Sequence, residues 1–487
     1  MEQCARRLVG SERRSHLEIT PIGVILIVVG VFFFFARPDH LYWSAIFFVP
    51  FSSTAVVNVG GNGGYSGLQA WMFFGALWIA SQAIDVVRSK HAWCKHKMRA
   101  SVRRLVLFLF VALCSLVMPL WIDGRLSIYF QSPISNDAHP LVFSVQHVTQ
   151  FLYLLFGVIF AIFVGVKNSR LNQFLKTLRI ILFSSIFVSG WGLLQWFCYL
   201  RGLDYPAFLL NTNKNETAMG FSSELTDLGI PRISSVATEP SILAQYLLVA
   251  LVLIAFVLLS RQVVISKIWD RIALGLTLVA LLLTTSSAAY FGVAVLIPVL
   301  LFAFVRLGRL RPLHVVMFSV ALAISCAVIY SRTSFVQDLA DATIFSKADS
   351  FSALERINSV ILAAGYFWQY PILGVGWGSV TSHDLVFKLL ADTGIAGVLA
   401  FGLFLKSLGS GLWKPALGSR TPVDVPPSGY WASCMFVATL ILILTCAVSE
   451  FTYVFGTLWL VFGMSLAALG QQVGYENPRV AMQQAQA

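Results

Sequence analysis

The chain has 487 residues, of which 57% are apolar and only 11% are charged, and its mean hydropathy is +0.79. Soluble domains carry about 25% charged residues, so this composition excludes an ordinary soluble protein and indicates a polytopic membrane protein. The net charge of +12 does not indicate nucleic-acid binding, because the basic residues are spread over short connections between apolar runs. The seven cysteines include no Cys-x-x-Cys pair, which predicts buried thiols rather than a disulfide or zinc framework.

Apolar runs of roughly membrane-spanning length recur through most of the chain. They lie near residues 20–36, 41–57, 65–84, 105–122, 147–166, 180–199, 240–259, 271–286, 288–305, 313–330, 386–405, 430–449 and 452–470. No small-residue cleavage site follows the first run, so it is predicted to be a retained helix. The expected fold class is an all-α polytopic integral membrane protein, with residues 1–487 forming a single transmembrane domain.

Loop charge predicts the orientation of these runs. Lys and Arg are concentrated in the alternate connections 85–104, 167–179, 260–271, 306–312 and 406–429. By the positive-inside rule, these connections are cytoplasmic. The intervening long connections, which carry more acidic residues than basic ones, are then external: 123–146, 200–239 and 331–385.

The start of the chain does not fit this alternation. Its arginine-rich first residues should be cytoplasmic, which requires an even number of crossings before connection 85–104. Segment 41–57 contains Pro50 and is followed by the glycine-rich residues 60–64, so we predict that it enters and returns on one side. About twelve spans result; about thirteen with an external N-terminus is the alternative.

The external connection 331–385 is expected to hold a catalytic loop region. Residues 352–355 have the spacing of a capping box, and Pro371 should stop the helix that follows near Gln369. Apolar residues recur at helical spacing between these points, which predicts an amphipathic helix on the outer leaflet. Arg356 lies in its first turns.

His383 follows a glycine-spaced loop and precedes a long apolar segment. The glycines of the loop, which allow unusual backbone angles, are Gly374, Gly376 and Gly378. In the first turn of a helix the positive end of the dipole would keep the imidazole neutral and able to accept a proton. No second His or Cys lies at ligand spacing, so the pattern favours a general base over a metal ligand, with a plain helix-end histidine as the alternative.

Arg232 and Arg356 are the external cations best placed to bind an anion. Pro240 suits the first position of a helix, so the helix after Glu239 should also begin at the outer face. Helix N-termini and guanidinium groups together suit a phosphate or pyrophosphate. Lys388 is expected to pair with Asp392 four residues later. Most of the other external cations are interpreted as interfacial side chains: Arg201, Lys214, Arg332 and Lys347.

These residues resemble the pattern of a known family. The sequence GVGWGS of residues 374–379, His383 and the sequence LLADTGIAG of residues 389–397 resemble the signature of the O-antigen ligase and polysaccharide polymerase superfamily. Arg356, and Arg232 ahead of Glu239-Pro240-Ser241, extend the resemblance over residues 230–405. The chain departs from the pattern at Ala288, where family members often have arginine, and at Asp384, where they often have asparagine.

The resemblance implies a GT-C-like fold and an inverting glycosyltransferase at the periplasmic face of the bacterial inner membrane. It implies that His383 takes the proton of the acceptor hydroxyl and that Arg232 and Arg356 bind the pyrophosphate of an undecaprenyl-pyrophosphate-linked saccharide donor. Glu239 would hold an arginine or bind acceptor sugar. Because arginines can neutralise the leaving group, no metal or other cofactor is expected. The supporting loop would consist of Gly374, Gly376, Gly378 and Asp384.

Three functions stay open at this point. A polymerase that joins lipid-linked repeat units into O-antigen, capsule or exopolysaccharide is favoured by the Glu239-Pro240-Ser241 run and by the length of connection 331–385. A ligase that transfers finished glycan to lipid A-core is the second. A flippase or exporter is the third, disfavoured because the spans are nearly free of charge. Expected partners are the donor, a glycan or lipid A-core acceptor, membrane lipid, a chain-length regulator and a flippase, and no nucleic acid.

Overall fold

The computed structural model describes residues 16–61, 64–88, 96–129, 138–214, 224–225, 229–260, 263–334, 337–338, 351–417, 427–451 and 453–471. Its helices are α1 (Pro21–Ala36), α2 (Pro38–Phe47), α3 (Ala70–Arg88), α4 (His96–Ser115), α5 (Val117–Ile122), α6 (Val145–Lys167), α7 (Leu171–Arg201), α8 (Ala207–Leu210), α9 (Pro240–Leu259), α10 (Lys267–Leu283), α11 (Ser287–Arg306), α12 (Pro312–Arg332), α13 (Phe351–Gln369), α14 (Leu385–Leu417), α15 (Pro427–Val448) and α16 (Gly456–Gln471). Within the described ranges, eight helices are long and apolar enough to cross a membrane. The expected all-α polytopic class is therefore confirmed, and the exact number of spans stays a prediction.

The main hydrophobic core lies along α9. This helix is apolar on every face and most of it is buried inside the protein, as expected of a helix at the centre of a bundle. It packs against α7, α10, α11 and α15. Pro240 occupies its first position, as predicted, so α9 begins directly after residues 232–239.

Short strands lie between the long helices and were not expected from the sequence. The strands β1 (His16–Ile19), β2 (Ala55–Gly61) and β3 (Gly64–Gln69) form one antiparallel sheet in that order. Two hairpins pair β4 (Ser127–Tyr129) with β5 (Ala138–Pro140) and β6 (Glu224–Leu225) with β7 (Ile230–Pro231). The sequence between β2 and β3 is Asn62-Gly63, the dipeptide most typical of a tight hairpin turn, so this hairpin was predictable.

Segment 38–54 runs from the connections predicted to be cytoplasmic to those predicted to be external. Near its start, Asp39 pairs with Lys167, with 2.6 Å between Oδ1 and Nζ, beside connection 167–179. Near its end, the Ser53 carbonyl accepts from the backbone N–H of Asn213, in connection 200–239, at 2.9 Å.

The prediction that residues 41–57 enter and return on one side is therefore wrong. The polar residues after Pro50 do not turn the chain back, because they are buried and bonded to connection 200–239. Glu18 of β1 pairs with Lys214 of that same connection. His16 thus lies on the side predicted to be external, which favours the alternative with an external N-terminus; residues 1–15 lie outside the described residues.

A second, smaller hydrophobic cluster joins the elements on the external side. It consists of Met118, Ile122, Leu126, Ile128, Leu141, Ala363, Tyr366, Val375, Val380 and Ala391. The Tyr366 hydroxyl also accepts from the backbone N–H of Tyr129 at 3.0 Å. The cluster ties the β4–β5 hairpin and α13 to the start of α14, and so fixes where α13 places its polar residues.

Helix α13 ends at Gln369, as predicted, but begins at Phe351, so Ser352 is already helical and is not its N-cap. One side of the helix, with Ala363 and Tyr366, is buried in the external cluster. The apolar residues Ile357, Ile361 and Trp368 are exposed on the protein surface. Contact of this exposed face with the outer leaflet stays a prediction.

Candidate functional site

The glycine-rich loop docks against a break in α14. Gly394 interrupts this helix with a φ of 63° and a ψ of −165°, so carbonyl groups just before it are free to bond elsewhere. The carbonyls of Ala391 and Asp392 accept from the backbone N–H groups of Val375 and Gly376 at 2.7 and 3.2 Å. The loop and the broken helix thus form one rigid unit.

Glycine is required on both sides of this contact. At Gly374 the φ is +67°, and a Cβ there would lie 2.3 Å from the Ala391 carbonyl oxygen. At Gly394 a Cβ would lie 2.3 Å from the backbone of Ile372. Gly376 and Gly378 also have positive φ angles. The predicted supporting glycines therefore shape the loop through close backbone packing.

Asp392 holds the loop from inside the protein. Its fully buried carboxylate accepts from the N–H of Gly378 at 3.2 Å and from that of Val380 at 3.0 Å. It also pairs with Lys388 at 2.9 Å, as predicted, and the Lys388 ammonium donates to the Val380 carbonyl. The ammonium lies 5.8 Å from the centre of the Tyr453 ring. The pair therefore fixes the backbone that leads to His383.

We expect Asp392→Asn to lower the free energy of unfolding by roughly 3–5 kcal/mol, because Lys388 is then buried without its counter-charge. The double variant Lys388→Met/Asp392→Asn should recover a substantial part of that loss. Thermal unfolding of the purified protein in detergent measures both. The control is Asp39→Asn, which breaks an ion pair whose aspartate is 66% exposed and should change stability by about 1 kcal/mol or less. Equal stability of the single and double variants would contradict this account of the pair.

His383 lies just before α14 rather than in its first turn. The N-terminal cap is Asp384, whose Oδ1 accepts from the N–H of Phe387 at 2.6 Å. Its Oδ2 accepts from the Ser382 hydroxyl at 3.5 Å. Asp384 thus caps the helix. The backbone N–H of His383 donates to Ser359 Oγ on α13 at 3.3 Å.

The imidazole of His383 is partly buried in a positively charged environment. Burial, followed by the charges of Arg356 and Lys388, lowers the pKa of His383 from 6.5 to about 4. The ring is therefore neutral at physiological pH, as the sequence predicted. The main causes are loss of solvent and neighbouring cations, rather than the helix dipole alone.

Arg232 and Arg356 lie close enough to repel one another. Burial first, and then the charge of Arg356, lower the pKa of Arg232, while Glu239 and Tyr290 act in the opposite direction. Among the described residues, the ion pairs are those at Lys167, Lys214 and Lys388, so neither arginine has a carboxylate within salt-bridge distance there. Two neighbouring guanidinium groups without such a counter-charge form a suitable site for an anion.

Buried polar atoms near Arg232 also lack partners. Residues 232–238 contact the turn between α10 and α11, where the Ile233 N–H donates to the Leu283 carbonyl at 3.2 Å. Among the described residues of this region, the buried side-chain atoms without a hydrogen-bond partner are Arg232 Nε, Ser234 Oγ, Thr285 Oγ1 and Ser287 Oγ. The start of α11, close to this turn, supplies uncapped backbone N–H groups. Hydroxyl groups thus occupy the region where Ala288 replaces the arginine of the family pattern.

The structure brings four predicted residues into one cluster: His383, Arg356, Arg232 and Glu239. Glu239 is the residue before α9, and its Oε2 accepts from the Ser241 hydroxyl at 3.0 Å. Other external cations are engaged elsewhere: Lys214 with Glu18, and Arg201 over the Phe197 ring.

Sequence reasoning missed Glu450, which follows α15. This carboxyl group interacts electrostatically with Glu239, Lys388 and Arg356. It is a single acidic residue in a short connection, and no local pattern marks it. Only the tertiary structure brings it to the cluster. In the described part of the chain no group of three or more metal-ligating side chains is present.

The chain is thus a multi-pass α-helical membrane protein with a cluster of cationic side chains around a neutral histidine. The O-antigen ligase family model matches residues 272–402, which confirms the resemblance of this part of the chain to the O-antigen ligase and polymerase superfamily. The matched range includes Arg356 and His383 but neither Arg232 nor Glu239. It supports an enzyme of the ligase or polymerase type that uses lipid-linked glycan. None of the curated proteins matches the chain.

Proposed function

We propose that this protein is an inverting glycosyltransferase that polymerises undecaprenyl-pyrophosphate-linked repeat units at the periplasmic face of the inner membrane. The observation that carries the proposal is the meeting of a neutral imidazole, His383, with two neighbouring guanidinium groups, Arg232 and Arg356. The imidazole is suited to act as a general base, and the two guanidinium groups are suited to bind a diphosphate leaving group. All three belong to connections that loop charge predicts to be external.

In the proposed reaction, His383 removes the proton of the acceptor hydroxyl as its oxygen attacks the anomeric carbon. The bond from that carbon to the diphosphate breaks, and its electron pair stays on the phosphate oxygen. Arg232 and Arg356 stabilise the charge that develops there. Direct displacement inverts the anomeric configuration. Because guanidinium groups neutralise the leaving group, the reaction proceeds without a metal ion.

Donor binding also activates the base. In the free protein the positive charge of Arg356 disfavours protonation of His383. A bound diphosphate offsets this charge and raises the pKa of the imidazole. His383 therefore becomes a stronger base when the donor is in place, which limits proton removal to the productive complex.

Purified protein, incubated with purified lipid-linked repeat unit and an excess of chelator, should produce a ladder of longer lipid-linked chains. A requirement for a divalent cation would overturn metal independence. If the protein instead transfers the glycan to added lipid A-core and forms no ladder, the result would contradict the polymerase function and support the ligase function. In cells, a deletion strain that accumulates single lipid-linked repeat units supports the polymerase, and one that accumulates long chains on the carrier supports the ligase.

A further inference from the structure

An apolar groove of about 360 Å³ lies between α11, α14 and α15. Both α11 and α14 pack against α15. The groove is lined by Phe302 and Ala303 on α11, Trp413 on α14, and Phe436 and Val437 on α15. The Trp413 ring lies 4.9 Å from the Phe436 ring and 6.4 Å from the Phe302 ring. The proposed reaction assigns no role to this space, which we call the α15 groove.

The α15 groove is open to the surroundings of the protein. Phe302 and Trp413 at its edge are 53% and 41% exposed, whereas Ser433 and Val437 on α15 are buried. All three helices are long and apolar enough to cross a membrane. In a bilayer the groove therefore opens to lipid, and an apolar surface of this kind is suited to an acyl chain.

The groove has the length of one leaflet. Along α11 it extends from Pro298 to Arg306, which is about 12 Å at the rise of a helix. Half of the hydrocarbon core of a bilayer is about 15 Å thick. The Arg306 end adjoins connection 306–312, which loop charge predicts to be cytoplasmic. The apolar part of the groove thus runs from the inner surface toward the middle of the membrane.

The turn after α11 fixes a second arginine at the same end. Gly308 has a φ of 64°, and its N–H donates to the Val305 carbonyl at 3.0 Å. The N–H of Arg309 donates to the Phe304 carbonyl at 2.8 Å, which completes a glycine-based C-terminal cap. The Arg309 guanidinium lies 5.3 Å from the centre of the Tyr430 ring on α15. The chain is therefore turned back toward α15 in a defined conformation.

Both arginines lie at the charged end of the groove. Arg306 lines it, and Tyr430, which Arg309 covers, is one helical turn before the lining residue Ser433. Both arginines are exposed. Connection 306–312 contains no acidic residue, and none is among the described residues that line the groove. The positive-inside rule explains arginines at this level of the membrane, but not their placement at the end of an apolar groove.

We propose that the α15 groove binds one anionic phospholipid of the cytoplasmic leaflet. An acyl chain lies along Ala303 and Val437, and the phosphate of the headgroup contacts Arg306 and Arg309. A lipid fits better than a free anion, because the groove continues from the arginines along an apolar surface of leaflet length. Basic sites between membrane helices on the cytoplasmic side bind such headgroups. This inference goes beyond the proposed glycosyl transfer and does not rest on it.

Lipid binding to the full-length protein tests this site. The protein is purified in neutral detergent, delipidated, and titrated with phosphatidylglycerol or with phosphatidylethanolamine of the same acyl chains. Native mass spectrometry counts the bound lipids. The wild type should bind one phosphatidylglycerol tightly and prefer it over phosphatidylethanolamine by roughly 30-fold, about fivefold for each arginine. Phosphatidylglycerol should also raise the unfolding temperature more than phosphatidylethanolamine does.

Arg306→Gln/Arg309→Gln tests the headgroup contact. This double variant should reduce the preference for phosphatidylglycerol to less than about threefold, because two guanidinium contacts with the phosphate are lost. The matched control is Arg103→Gln/Arg104→Gln, which removes two exposed arginines of α4 in connection 85–104, also predicted to be cytoplasmic. The control should keep the preference of the wild type.

Ala303→Trp tests the position of the acyl chain. Ala303 is half-buried in the lining of the groove, so the indole would occupy the space of the chain. This variant should lose the tightly bound phosphatidylglycerol without a fall in the unfolding temperature of the delipidated protein. Ala321→Trp, which changes an exposed residue of α12, should retain the lipid.

Each other occupant gives a different result. Equal binding of the two lipids by the wild type, or an unchanged preference in Arg306→Gln/Arg309→Gln, would overturn the anionic headgroup. Inorganic phosphate that stabilises the protein as much as phosphatidylglycerol would show a site for a free anion. Undecaprenyl phosphate that displaces phosphatidylglycerol at equal concentration would assign the groove to the carrier lipid. A dimer that dissociates in Ala303→Trp would assign it to a second copy of the chain, and tight lipid binding by Ala303→Trp would place the lipid elsewhere.

Discussion

His383→Ala should reduce glycosyl transfer by roughly 10²–10⁴-fold, the usual contribution of a general base. The ring is partly buried and neutral, and it faces Arg356, which the proposal assigns to the leaving group. The backbone N–H of His383 donates to Ser359 Oγ, and this bond does not depend on the side chain. The variant should therefore fold and insert normally, and the loss should appear in kcat, measured with saturating lipid-linked donor.

The matched control is His139→Ala, which removes an exposed histidine from β5 on the same side of the protein. It should leave kcat unchanged. A His383→Ala variant that extends chains at the wild-type rate would remove the imidazole from the mechanism.

The pH dependence of His383 has a defined sign. The working form is the neutral ring, so kcat/KM, which reports the free enzyme, should fall as the pH drops through about 4 and the ring becomes protonated. Because the folded pKa lies below 6.5, the unfolded chain binds more protons between these values. The contribution of His383 to stability therefore falls as the pH drops from about 6.5 to 4, and this part of the pH dependence should be absent from His383→Ala.

Arg232→Ala and Arg356→Ala should each weaken donor use by roughly 1.5–3 kcal/mol, or about 10- to 150-fold, the range for a hydrogen bond to a charged group. Both guanidinium groups lack a carboxylate partner at salt-bridge distance among the described residues, so a bound diphosphate would supply their counter-charge. Replacing either arginine by lysine should recover little of the donor affinity that the alanine variant loses, since lysine keeps the charge but not the planar pair of N–H donors. Steady-state kinetics with lipid-linked donor give the donor KM, and inhibition by inorganic pyrophosphate gives the affinity for the diphosphate group alone.

Arg332→Ala is the control, because it removes an exposed arginine at the end of α12. It should change neither the donor KM nor pyrophosphate inhibition. Unchanged donor affinity in both Arg232→Ala and Arg356→Ala would exclude the proposed leaving-group site.

The residues that the sequence predicted are those marked by local pattern. His383 follows three glycines, Arg232 precedes a helix start at Pro240, and Lys388 lies four residues before Asp392. In each case the structural preference is determined by residues close together in the sequence: by the backbone freedom of glycine, by a proline at a helix start, or by the i, i+4 spacing of a helix. The patterns around His383 and Lys388 also belong to the family resemblance, and both lie within residues 272–402, which the family model matches.

The features that the sequence did not predict depend on contacts between distant segments. The break at Gly394 lies in an apolar run whose composition indicates an unbroken helix, and it is stabilised by the loop that docks from residues 372–376. Glu450 joins the cluster only because α9 and α14 bring Glu239 and Lys388 beside it. The course of segment 38–54 was misjudged because its buried polar residues gain their partners from connection 200–239.

The most direct test of the central claim is the length of the glycan that the purified protein makes from purified lipid-linked repeat unit in the presence of chelator. The account predicts a ladder of lipid-linked chains from the wild type and from His139→Ala, and unextended repeat units from His383→Ala. A wild-type protein that leaves the repeat unit unextended, or a His383→Ala variant that builds the same ladder, would contradict it.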